Sequence, residues 1–152
     1  MNNIFNPGNY QKNIDLSLLI LRLVAGAFML THGMGKLFML MGSEPIQFPD
    51  PIGVGASTSL FLAVFAEVVC AVLIIVGFAS RFAAIPLIIT MLVAGFVVHA
   101  SDGFSRQELP FMYAAMYLVI AIAGAGKYSI DSLIYNKVNL RQESTSTKLS
   151  QS

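Results

Sequence analysis

The stretch Ser59–Phe78, SLFLAVFAEVVCAVLIIVGF, holds a single charged residue, Glu67, close to its middle. A bilayer core about 30 Å thick is crossed by roughly 17–25 helical residues, so this segment has the length and polarity of a membrane span. A carboxylate at that depth costs about 2.5–3.5 kcal/mol on insertion scales. Such a group is retained where it has a partner or a task. Fold and function therefore both turn on what surrounds Glu67.

Three further stretches have the same character: Leu16–Met41, Phe82–Ala100 and Leu109–Ala125, the last being the shortest. Together they account for a mean hydropathy of +0.73 and a charged content of 11% over 152 residues, where soluble domains carry about 25%. No stretch alternates apolar and polar residues as the strands of a closed β-barrel would. The reading is an all-α, integral membrane four-helix bundle over residues 16–136. A polar lead at 1–15 precedes it, and a Ser/Thr/Gln-rich tail at 137–152, expected to be disordered, follows. The first stretch lacks a basic leader and a small-residue cleavage site and is too long for a signal-peptide core, so a span is expected. An even number of spans puts both termini on one side. That side collects Lys12, Arg81, Lys127, Lys137, Arg141 and Lys148; the other has Arg106, with Lys36 at its membrane edge. The excess of Lys and Arg places the termini in the cytoplasm.

Several function classes are excluded by composition. A net charge of +1 leaves no electrostatic footprint for nucleic acid. Cys70 is the only cysteine, so neither an intrachain disulfide nor a CxxC pair can form. No redox cofactor is evident in the chain, and any electron chemistry must draw on a bound cofactor or a partner. There is no phosphate loop or dinucleotide fingerprint. The two histidines lack HExxH or ExxH spacing, so no metal is expected; a haem between His32 and His99 has only shared depth in its favour.

The connections complete the outline. Residues 42–58 contain Pro45, Pro49, Pro51, Gly53 and Gly55 and cannot form a helix interior. Their default reading is a surface loop, the alternative a cover over the outer mouth, with Ser57 or Thr58 capping the second helix. The tight turn Gly77-Phe78-Ala79-Ser80-Arg81 makes the second and third helices antiparallel neighbours. Pro86 falls in the first turns of the third helix, where proline is best tolerated. Gly124-Ala125-Gly126 is a glycine stop. Ser129 can then cap a short interfacial helix over 130–136 with Leu133, Ile134 and Tyr135 toward lipid.

The polar residues concentrate at one depth. At 1.5 Å per residue, Glu67 lies about 12 Å inside the outer end of its helix. His32 and Lys36, His99 and Glu108 fall in the same outer half, whereas Arg22 stands near the inner surface. At about 100° per residue, Arg22, Gly26, Met29, Gly33 and Lys36 share one face of the first helix. The glycines there admit a close neighbour. Ala63, Cys70 and Ala71 flank Glu67 on its own face, and Tyr113 and Tyr117 share a face that can offer hydroxyl donors. The simplest pairing is Glu67 with Lys36 or His32. Each residue also has a bland reading. The pair can act only as packing glue, Lys36 and Arg22 can snorkel to headgroups, and His99 can lie in the interface. The tyrosines can be core, and Cys70 can be inert.

The ordered motifs resemble the DoxX family. They are Arg22…His32-Gly33…Lys36-Leu37, Glu67 followed by Gly77-Phe78-Ala79-Ser80-Arg81, the positions His99, Glu108 and Tyr113, and Gly124-Ala125-Gly126-Lys127-Tyr128-Ser129-Ile130-Asp131. The resemblance covers about Leu16–Ile134. It implies a small four-helix protein of the bacterial inner membrane, with relatives linked to quinone-dependent sulfur oxidation, quinol oxidase complexes or oxidative-stress complexes. Pro110 and Phe111 depart from the family's pattern and suggest a later start for the fourth helix. On this basis the chain is expected to be a subunit of, or accessory to, a quinone-linked membrane oxidoreductase. Glu67, Lys36 and His32 would do the proton chemistry, and His99, Tyr113, Glu108 and Arg22 would contact the cofactor. The partners expected are the lipid bilayer, a redox subunit and a second copy of the chain. The alternative is a non-catalytic scaffold, assembly or small-solute transport protein whose polar cluster only fixes helix packing.

Overall fold

A computed structural model describes residues 10–139, with side chains from residue 13. Four long helices follow one another: α1, Tyr10–Met41; α2, Ala56–Val76; α3, Ser80–Val98; and α4, Phe104–Ala123. A short helix, α5, occupies residues 130–139. There is no strand among the described residues. Three segments, Asn13–Met41, Ala56–Val76 and Ser80–Val98, are long and apolar enough to cross a membrane. Fewer than the four expected spans meet that measure because α4 opens with the polar turn FSRQE.

The helices form an up-and-down bundle in which α2 is central. Half of its apolar window is buried, against 28% for α1 and for α3, because α1 packs on one side of it and α3 on the other. The large apolar side chains left outside, such as Phe28, Phe61, Phe82 and Ile122, form the surface that lipid would cover. The core is built from small residues with a few long ones between them: Ala25, Ala66, Ala71, Ala83 and Ala84 against Met29, Ile74, Leu87 and Ile120. Without a hydrophobic drive between helices in lipid, close backbone approach is what such alanines and glycines provide. Gly33 shows this best. A Cβ there would lie 2.8 Å from the carbonyl oxygen of Glu67 and 2.8 Å from Val68 Cγ2. The predicted α1 face is the buried one: Arg22, Gly26, Met29 and Gly33 are buried and Lys36 is half-buried at its end. Tyr117, fully buried, donates its hydroxyl to the carbonyl of Ala25 at 3.1 Å and ties α4 to α1.

Several expectations are corrected. Helix α1 begins at Tyr10, within the stretch taken as a lead; residues 1–9 and 140–152, including most of the expected tail, lie outside the described residues. Helix α4 begins at Phe104, ahead of Pro110, which sits inside it. A proline two turns in forfeits one hydrogen bond, and the helix continues on both sides of it. The start of α2 is not capped by Ser57 or Thr58. Gly55, at φ 95°, holds the cap position without a side-chain bond. Asp50 reaches back instead: its carboxylate accepts from Val54 N at 3.0 Å, Gly55 N at 2.8 Å and Ser59 Oγ at 2.7 Å. The Ser59 hydroxyl first, then the Gly55 amide, hold the Asp50 carboxyl below its ordinary pKa.

The end of the bundle that carries the termini is closed by a knot of polar contacts. Arg22 is completely buried, so the snorkelling reading fails for it. Its Nη2 donates to the carbonyl of Tyr128, and its Nη1 would lie 1.7 Å from a Cβ on Gly77. Gly77, at φ 71°, ends α2. Asp131 bridges to the next helix: its carboxylate accepts from Ala79 N at 2.7 Å and Ser80 N at 3.1 Å, and its own N–H donates to Gly77 O at 2.9 Å. Two of the first orphan amides of α3 are thereby satisfied. Ser129 caps α5 as expected, accepting from Ser132 N at 3.1 Å. That helix exposes Leu133, Ile134 and Tyr135.

Candidate functional site

At the opposite end, two of the helices are wound more widely. Residues Phe65–Cys70 of α2 and Ala94–Val98 of α3 are π-helical. Such turns are rare, and they recur at functional sites because they re-aim side chains without ending the helix. Glu67 lies in the first, and His99 follows the second immediately. Neither wide turn has a mark in the sequence that the reading could have used.

Glu67 is 1% exposed. Lys36 Nζ donates to its Oε1, so α1 and α2 are joined by an ion pair. Gly33, one turn before Lys36, explains the reach: with no Cβ to hold the helices apart, its backbone lies against the Glu67 peptide. The other carboxylate oxygen, Oε2, is buried and has no hydrogen-bond partner. A buried acceptor left unmade costs about 1–3 kcal/mol, and more when charged.

That carboxylate borders a cavity of about 210 Å³ walled by all four long helices. Lys36 and His32 come from α1, Glu67 from α2, His99 from the end of α3, and Tyr113 and Arg106 from α4. Met29, Met91, Leu109 and Pro110 supply apolar wall. His32 meets Tyr113 edge-on, ring centroids 5.9 Å apart, and Tyr113 stacks on Tyr117 at 6.2 Å. His99 pairs through Nδ1 with Asp102 Oδ2 at 2.8 Å. The loop after α1 is more than a plain surface loop at one point: the half-buried Phe48 ring lies 5.9 Å from Lys36 Nζ, at cation–π range.

Five of the seven candidate residues thus share one cavity: Glu67, Lys36, His32, His99 and Tyr113. His32 does not bond Glu67; of the two partners considered, Lys36 takes the carboxylate. Two candidates are elsewhere. Glu108 is exposed and outside the cavity; five residues from Tyr113, it is turned about 140° round the helix. Arg22 is fourteen residues from Lys36 on α1, or about 21 Å along the axis, and serves the far end. Arg106 was missed. It lies seven residues, about two turns, before Tyr113 and on the same face, a periodicity that the assumed later start of α4 hid. Among the described residues, no three His, Cys, Asp or Glu side chains gather as metal ligands.

Comparison with known proteins agrees with the architecture. The DoxX family model matches residues 17–100, more than half of the chain. An uncharacterized protein of Haemophilus influenzae is 32% identical over 126 residues, covering 78% of this chain and 83% of its own. A second uncharacterized protein of that organism is 28% identical over 136 residues, covering 85% of this chain and 98% of its own. The inner membrane protein YqjF of Escherichia coli is 28% identical over 127 residues, covering 81% and 95%. No solved structure matches the chain. The helices, their order and the family match lead to one conclusion: this chain is a membrane protein that belongs to the DoxX family.

Proposed function

We propose that the chain is a multi-pass inner-membrane subunit of a quinone-linked oxidoreductase complex, with both termini cytoplasmic, and that the cavity beside Lys36 and Glu67 receives the quinone head group. The observation that carries this reading is the unpartnered, buried Glu67 Oε2 on the wall of a cavity that also offers Lys36, His32 and Tyr113. The size suits one substituted ring, since a cavity of about 150 Å³ already takes benzene. Reducing a quinone to a quinol consumes two electrons and two protons. Cys70 is the only thiol, so the chain has no dithiol to supply electrons; a partner subunit delivers or removes them. Lys36, His32 or the Tyr113 hydroxyl hydrogen-bonds a quinone carbonyl, and Glu67 exchanges protons with it. The inner-membrane name of the Escherichia coli relative supports the location.

One observation favours a second reading. The Lys36–Glu67 pair sits where Gly33 brings α1 against α2, so it can serve as a packing lock in a scaffold or transport protein. Glu67→Gln separates the two. On the first reading the variant folds with wild-type yield, while quinone reactivity of the natively purified complex falls by about a hundredfold. If the yield collapses and the surviving protein reacts normally, the lock reading stands and the quinone reading is lost.

A further inference from the structure

We infer that the cavity selects a ring bearing a negative charge over the same ring without one, and that Arg106 sets this preference. The inference rests on the quinone reading for the ring and on the charges of the wall for the preference. Two of the wall's side chains, Lys36 and Glu67, cancel each other as an ion pair. Arg106 is the remaining permanently charged group on the wall, and it makes no ion pair or side-chain hydrogen bond among the described residues. The two histidines add to the positive side and never subtract from it. His99 has Nδ1 engaged by Asp102, which leaves Nε2; His32 is held only by its edge-on contact with Tyr113. No acidic group other than Glu67 lines the cavity: Asp102 stands behind His99, and Glu108 is outside. Among the side chains that line the cavity, Arg106 is therefore the charge left without an opposite partner. Arg106 is itself exposed, so its charge meets a ligand at the open side of the cavity, beside the apolar wall of Met29, Met91, Leu109 and Pro110. Ionised hydroxyquinones, quinolates and aromatic carboxylates share the required chemistry.

The test is calorimetric titration of the full chain in lipid nanodiscs with three probes. They are naphthoquinone, its hydroxylated derivative (an anion at neutral pH) and naphthoate. The wild type is expected to bind the hydroxylated anion about tenfold tighter than the neutral quinone. Arg106→Gln should bring the two affinities within about twofold of each other, while Arg106→Lys should keep most of the preference. Equal affinities in the wild type, or a preference that survives Arg106→Gln, overturn the inference and leave the quinone reading intact. If naphthoate alone binds, and does so through Arg106, the charge preference holds and the quinone reading falls. Binding of none of the three removes both.

Discussion

Helix α1 carries one cation toward each end of the bundle, and the two ends treat it differently. Arg22 is sealed. It has no exposed surface, its guanidinium fills the space left by the missing side chain of Gly77, and Nη2 donates to a backbone carbonyl while Nε and Nη1 have no hydrogen-bond partner. Lys36 is half open, bonded to a carboxylate whose second oxygen has no partner and which borders a cavity. The first arrangement leaves no room for anything else and holds helix ends together. The second leaves room and an unused acceptor. A charge within an apolar helix thus closes the bundle at one end and borders a cavity at the other.

Substitutions can break this contrast from either side. The largest effect is expected at Gly77. Gly77→Ala must place a Cβ where the Arg22 guanidinium sits and hold a left-handed φ, for about 3 kcal/mol or more. Yield and thermal stability in detergent should both fall sharply, while Gly35→Ala, which meets nothing within 4 Å, is the matched control. Next comes Asp131→Ala, which strips the acceptor from the first amides of α3 and should cost about 2 kcal/mol. Its midpoint of thermal unfolding should drop with ligand binding unchanged below that midpoint. A binding defect without a stability loss would show that the two ends are not separate in role. Gly33→Ala probes the other end. A methyl there presses on the Glu67 peptide, and overpacking of that kind costs about 1–3 kcal/mol; the readout is a larger loss of ligand affinity than of stability.

The smallest effect concerns the loop over Lys36. Asp50 has a folded pKa depressed chiefly by Ser59. A carboxyl with a depressed folded pKa contributes its stability above its unfolded value, about 3.9, and loses it as pH falls through the lower folded value. Protease cleavage within residues 42–55 should therefore stay slow at neutral pH and quicken in strong acid. Asp50→Asn should show the quicker cleavage already at neutral pH. Equal rates for both proteins at every pH would mean that Asp50 does not anchor the loop.

Much of this was legible along the chain. Span lengths follow from apolar runs, and the α1 face from Arg22 to Lys36 follows from a helical period, because both are properties of one helix. The Lys36–Glu67 pair could be named because two opposite charges at one depth have few other partners. Other features are not written in any one segment. The π turns at Phe65–Cys70 and Ala94–Val98 have no compositional mark. Arg106 is hidden in the sequence because Pro110 suggests a later helix start than Phe104. The Gly77–Arg81 turn and the 124–131 ending looked like family signatures; in the fold they meet, with Asp131 bridging Gly77, Ala79 and Ser80.

The sequence by itself determined that this is an all-helical membrane protein, which helix faces turn inward, and which acid is too costly to lack a partner. Those are local matters, fixed by hydrophobicity and the pitch of a helix. Only the tertiary structure decided that Arg22 is sealed while Lys36 is left beside a cavity, that Glu108 lies outside that cavity, and that the exposed Arg106 lines it. Whether a charge is enclosed or accessible depends on how closely neighbouring helices approach, and that distance is set jointly by residues far apart in the chain.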